Sequence, residues 1–360
     1  MKKTLSLHAF AAATCFSPAT GASGGAQPPI RNIHTFPKNT FIENIAVRSN
    51  GNLLVTSMSV PTLFTINPSL SDPDASVLHT FPNATGISGI AETAPDVFAL
   101  VTGIWDLANT RAEPGSLAIW TFDLRRTPNA PLDTHLSPPA LLARIPDSTI
   151  LNGLAPHPSN RNLLLAADSA RGALWRVDLT TGAHAVILES DLLKPTGTAP
   201  GTHLGVNGLR AGTDGYVYFT NSAQGFLGRV KVDRNGEGVG DIEVLSRSAD
   251  AGEGVVYDDF ALDFASPSFP SSSSSKETAA GAAKQAIWIA SHPSYAVRVG
   301  LGDGEQWVVN DTAKLLNPTS AAFGRGGKGQ RRTLYVTNGG EFVGNDLVNE
   351  GVVAITLADD

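Results

Sequence analysis

Six polar residues recur at one position of a repeating pattern: Glu43, Ser88, Asn152, Asn207, Asp259 and Asn317. Two are carboxylates, three are amides and one is a hydroxyl. Such side chains offer hard oxygen atoms, and burying them without partners is costly. A hard cation of the Ca²⁺ type satisfies that set, because it accepts carboxylates, Asn oxygens and water in flexible number. Zinc and copper are disfavoured, since there is no Cys in reach and no nearby His pair. Glu43, Asn152, Asn207 and Asp259, standing at one repeat phase, form one shared site on this reading. Asp258 and Asp263 flank Asp259 and compete for its place. Each residue taken singly also fits a plain turn-former that bonds nearby backbone. His292 is a candidate proton donor or acceptor, or a loop histidine ahead of Pro293; His157 and His203 carry weaker signals.

The elements that carry these residues repeat. One unit runs Asn207-Gly208-Leu209, an Asp214-Gly215 turn, the strand Tyr216–Asn221 and the strand Gly228–Asp233. Alternation and turn chemistry make it a β-meander. The same order starts at Glu43, Ser88, Asn152, Asp259 and Asn317, with steps of 45 to 64 residues. Common propeller blades take about 40–50 residues. Insertions at 103–115, 126–139 and 271–283 supply the excess. The expected fold is all-β: one six-bladed β-propeller with four antiparallel strands per blade, its outermost strand near Ile33–Phe36 closing the ring. The first strand of each blade then lines a central channel, so the six polar residues form a ring at its mouth.

The segments after each second strand turn back to the same mouth. They carry Trp105, Phe226, Tyr295 and Phe342, which make a partly aromatic wall suited to a hydrophobic small molecule. Each aromatic also fits simple packing between blades.

Composition sets the class. The chain has 360 residues, 42% apolar and 16% charged, with 36 Gly, 23 Pro and a net charge of −7. No basic surplus exists to neutralise phosphates, so nucleic acid is not an expected partner. Residues 1–22 read as a secretory signal peptide, with Met1-Lys2-Lys3, an apolar stretch from Leu5 to Phe16 and small residues beyond; it is too short to span a bilayer. Residues 23–360 then form the single propeller domain. The only cysteine, Cys15, lies in the leader, so the mature chain has no disulfide and no thiol nucleophile. Secretion is the expected route, and Asn83 and Asn310 head glycosylation sequons.

The pattern Glu43, Asn152-Gly153-Leu154, Gly205-Val206-Asn207-Gly208-Leu209 and Asp258-Asp259-Phe260-Ala261 resembles the gluconolactonase/senescence-marker-protein superfamily of calcium-dependent six-bladed propellers. That resemblance implies a metal and substrate site on Glu43, Asn152, Asn207 and Asp259. The departure is Glu43-Asn44-Ile45, where the metabolic lactonases tend to have Glu-Gly-Pro. The stretches Glu43–Gly51 and Thr80–Ala91 are similar to a fungal secreted branch that includes hetero-Diels-Alderases, which join a tropolone-derived ortho-quinone methide to a humulene-type sesquiterpene. On that resemblance the expected role is a pericyclase of secondary metabolism, with Asn152, Asn207 and His292 as hydrogen-bond donors and no organic cofactor. A Ca²⁺-dependent lactonase or esterase and a non-catalytic binding propeller are the alternatives.

Overall fold

The computed structural model describes residues 27–125, 137–198, 202–248, 255–264, 285–302, 304–325 and 328–358. The proposed leader over 1–22, most of the insertion at 126–139 and all of 271–283 lie outside the described residues. Six four-stranded antiparallel sheets account for the fold, with one four-residue helical turn among the described residues. The inner strands are Ile42–Val47, Gly86–Ala94, Leu151–Pro156, Val206–Ala211, Tyr257–Asp263 and Pro318–Phe323, in blades 1 to 6. Blade 6 takes its outer strand from the start of the chain. Ile30–Thr35 pairs with Gly351–Thr356 and closes the ring as expected.

The core is divided in six. Each cluster of buried apolar side chains lies between two neighbouring blades, such as Val101, Ile119, Leu154 and Leu164 between blades 2 and 3. Every sheet is therefore buried on both faces, which explains near-continuous apolar runs such as Leu163-Leu164-Leu165-Ala166-Ala167. No helix of the described residues is long and apolar enough to cross a membrane.

A bulge near the start of the inner strands breaks their pairing. In blade 3, Leu151 pairs with Asp168 and Leu154 with Ala166, leaving Asn152 and Gly153 out of register. Blades 1, 4 and 5 repeat this at Glu43-Asn44, Asn207-Gly208 and Asp258-Asp259. The bulge re-aims the first of its two residues toward the channel in each of these blades. Threonines of the second strands stitch it to the next blade: the Thr56 hydroxyl reaches the Ser88 carbonyl at 2.8 Å and Thr220 reaches the Asp258 carbonyl at 2.6 Å.

Candidate functional site in the channel mouth

The bulge register fixes which residues are equivalent. The first bulged position holds Glu43, Ser88, Asn152, Asn207 and Asp258, all lining one cavity of about 410 Å³. The fifth-blade acid of this tier is Asp258, and Asp259 is one residue later. In blade 6 the matching residue is Thr319, which is buried and spends its hydroxyl on Ile42 O and Thr337 Oγ1. Asn317 lies in the loop ahead of the strand at φ 48°, its amide donating to Gly340 O at 2.6 Å, and it lines the rim of the same cavity.

Asn207, Asp258 and His292 form one network. Asn207 Nδ2 donates to Asp258 Oδ1 at 2.8 Å and to Ser222 Oγ at 2.9 Å. Ser222 in turn donates to Tyr257 O, so its oxygen can only accept from the amide. Both amide hydrogens of Asn207 are thus committed, and its Oδ1 is buried without a hydrogen-bond partner. Asn207 presents an acceptor to the cavity, not the donor expected from sequence. His292 Nε2 lies 3.2 Å from Asp258 Oδ2. Burial lifts the Asp258 carboxyl above its usual range; His292 and Asn207 oppose that rise and the Asp259 charge adds to it. Glu43 is buried with Oε2 unpaired. Burial first, then the charges of Asp258 and Asp259, holds its carboxyl well above the ordinary value.

Asp259 points away from the cavity. Its Oδ2 accepts from Arg210 Nη2 at 2.7 Å and Asn44 Nδ2 at 2.9 Å, and its Oδ1 accepts from the Phe260 amide. Asp259 does not line the cavity and its charge is matched by Arg210, so it does not complete a metal set there. Glu43 Oε2 and Asn207 Oδ1, with the Asp258 carboxylate beside them, do suit a hard cation. No cluster of three or more His, Cys, Asp or Glu arranged for a metal occurs among the described residues, so such a set depends on its amide oxygens.

Of the four expected wall aromatics, the structure brings Trp105 and Phe342 to the cavity. Phe226 and Tyr295 stand elsewhere. Phe226 is fully buried in blade 4 against Phe219, and Tyr295 packs in the cluster between blades 4 and 5. Both begin third strands, which lie two strand spacings, about 10 Å, outside the channel wall. Trp105 and Phe342 ride on inserted hairpins, 105–112 and 341–348, that fold inward. Sequence reading missed Phe41, Leu107, Ile150, Leu204 and Leu347, which line the cavity from loops or hairpins. Insertion length marks Leu107 within 103–115; Phe41 and Ile150 sit just ahead of inner strands, where no insertion marks them. His203 lines the cavity too, whereas His157 is structural: its Nδ1 accepts from the Ser159 and Asn160 amides and Nε2 meets Asp233 O at 2.7 Å.

The described residues define a six-bladed propeller with a polar-floored cavity at one mouth of its channel. The chain is 27% identical over 264 residues to a Sarocladium schorii protein provisionally named a hetero-Diels-Alderase, covering 68% of this chain and 64% of that relative. A Phoma protein of the same provisional name is 26% identical over 328 residues, 86% of each chain. The calcium-binding protein regucalcin of Agrobacterium tumefaciens shares the fold, with a TM-score of 0.57, 16% identity and coverage of 89% of this chain and 91% of that one. No family model matches. The sequence similarity is thus to proteins provisionally named hetero-Diels-Alderases, and the solved structures share the propeller fold.

Proposed function

We propose that this protein is a pericyclase that joins an ortho-quinone methide, tropolone-derived, to a humulene-type sesquiterpene in the cavity of about 410 Å³. One observation carries the reading: the cavity is chemically two-sided. Its floor is polar, made by Glu43, Ser88, Asn152, Asn207 and Asp258 with His292 beside them. Phe41, Met58, Trp105, Leu107, Ile150 and Phe342 make much of the wall above it apolar. An oxygenated ring sits against the floor and a hydrocarbon against the wall. The names of the two sequence relatives support the same class of reaction.

The cycloaddition forms one C–C and one C–O bond and releases nothing, so it needs no nucleophile. The two cavity serines fit that: Ser88 Oγ donates to Leu151 O and Ser59 Oγ to Asn39 O, both spent on backbone. Holding two reactants in register removes several kcal/mol of barrier, up to roughly 7–11 in well-oriented cases. Asn152 and His292 are the donors for the quinone-methide carbonyl, worth about 3 kcal/mol each where charge develops. Asn207 Oδ1 receives a hydroxyl on the same ring.

The two orphaned oxygens of Glu43 and Asn207 favour a second reading, a Ca²⁺-dependent lactonase or esterase. Glu43, Asn152, Asn207 and Asp258 would hold the ion. Bound there, Ca²⁺ would polarise a carbonyl oxygen.

Incubating the purified protein with a quinone-methide precursor and humulene tests the first reading. One stereoisomer of the adduct, formed faster than in buffer, is expected. Chelator-sensitive hydrolysis of aryl esters or lactones, with no adduct, would replace it by the second. The leader-like N-terminus supports secretion, and the exposed Asn83 and Asn310 are then the glycosylation positions. N-terminal sequencing of the mature protein decides that point.

A further inference from the structure

The channel does not run through the molecule. Below the cavity a second chamber of about 380 Å³ opens at the opposite face, lined by Ala46, Ala91, Ala155, Arg210 and Ala322 among others. Between the two lies a tier that lines neither: Asn44, Gly89, Gly153, Gly208, Asp259 and Ser320, the second bulged position of each inner strand. This tier is closed in two ways. On the glycine side, backbones touch: a Cβ on Gly89 would sit 2.1 Å from Asn152 O. Opposite, Asp259 occupies the space a Gly208 side chain would need, its Oδ1 2.4 Å from that Cβ position. Asp259 Oδ2 binds Asn44 Nδ2 at 2.9 Å and lies 3.1 Å from Ser320 Oγ, bridging blades 1, 5 and 6.

Two residues further along the inner strands, five blades carry alanine, at Ala46, Ala91, Ala155, Ala261 and Ala322. Blade 4 carries Arg210 instead. Its guanidinium turns back toward the tier, with Nη2 on Asp259 at 2.7 Å and Nη1 on its own Leu209 carbonyl at 2.9 Å. Asp259 is almost fully buried, and an unpaired carboxylate there would be strongly destabilising.

We infer that Arg210 is a positioning residue: from the far chamber it holds the Asp259–Asn44–Ser320 septum shut and makes the substrate cavity blind to water from below. It touches no substrate. On the pericyclase reading, the septum protects a quinone methide that water would otherwise capture by adding across its exocyclic carbon and oxygen.

Hydrogen–deuterium exchange tests the septum without any assumption about activity. The reporters are the Phe260 and Ile45 amides, which bond Asp259 Oδ1 and Asn44 Oδ1, both at 2.8 Å. Arg210→Ala and Arg210→Met should each speed their exchange roughly tenfold or more, with the outer strands of blades 2 and 3 unchanged. Millimolar methylguanidinium should restore protection in Arg210→Ala, where space is made, and not in Arg210→Met. Should Arg210→Ala fail to fold, Arg210→Met alone decides: parent-like exchange there means bulk, not the ion pair, closes the channel and overturns the inference. Unrescued Arg210→Ala overturns it equally. With precursor and humulene, Arg210→Met should raise the ratio of water-captured product to adduct roughly tenfold. Absence of adduct from the parent protein would defeat the pericyclase reading and leave the exchange result standing.

Discussion

The two ends of the channel are made by the same six strands yet differ in how their polar groups are spent. The upper cavity has carboxylates, amides and a histidine on its floor and is walled by two inserted hairpins. The lower chamber, of nearly equal size, is walled by alanine and larger aliphatic residues, with Arg210 facing the septum and Arg325 paired to Glu92 at 2.5 Å. Unspent hydrogen-bonding capacity is what separates them. Glu43 Oε2 and Asn207 Oδ1 are buried and unpaired above, whereas the ionic groups below are paired with one another. A buried orphan acceptor costs about 1–3 kcal/mol, and the proposed ligand site falls at the end that keeps two of them.

Substitutions at the two ends should therefore diverge. The largest effect is expected at Asp258→Asn, which removes the charge that orients both Asn207 and His292. Adduct formation, measured as kcat/KM, should fall about 100-fold; a fall under threefold would mean the polar floor is not the reacting end.

Trp105→Ala strips one face of the apolar wall. Losing roughly 2 kcal/mol of buried contact should raise the KM for the hydrocarbon about 30-fold, with kcat less affected. An equal loss in kcat would instead place Trp105 in the reacting geometry.

At the lower face the expected consequence is stability. Arg48 grips Asp96 of the next blade with two contacts of 3.2 Å and also donates to Leu124 O. Burial pushes the Asp96 carboxyl up, yet the Arg48 hydrogen bonds and charge, with Ser49, outweigh it and leave the group below its ordinary 3.8. A depressed folded value means the stabilisation is complete above pH 3.8 and fades as pH drops through the lower folded value. Asp96→Asn should therefore lower the melting temperature by about 2 °C at pH 7, from roughly 1 kcal/mol. The gap to the parent should close in strongly acidic melts. A gap that persists there would assign the effect to packing.

The smallest effect belongs to Ala46→Val in the lower chamber. Ala46 is half-buried at the chamber wall, and activity should stay within about twofold of the parent. A loss comparable to that of Trp105→Ala would show that substrate enters from below and would erase the contrast.

Self-similarity along the chain determined the number of blades, the four-stranded unit and the strand that closes the ring. Alternation, turn residues and inter-blade burial act locally and repeat, so they can be read without coordinates. The inner-strand ring was legible at Glu43, Ser88, Asn152 and Asn207. It slipped at Asp258-Asp259, because the bulge leaves two neighbouring residues unpaired and both are aspartates. Composition cannot say which of them faces the cavity; the reach of Arg210 decides it. The lone Arg210 among five alanines was open to reading once the repeats were aligned, although its direction was not.

Phe226 and Tyr295 show the other limit. A residue following a second strand looks equally close to the mouth whether it begins a third strand or rides on an inserted hairpin. Only the tertiary structure distinguishes the two, since it shows which chain segments fold inward. The donor expected at Asn207 became an acceptor for a similar reason. Which end of an amide is free depends on partners far apart in sequence, here Ser222 and Asp258, that the ring alone brings together.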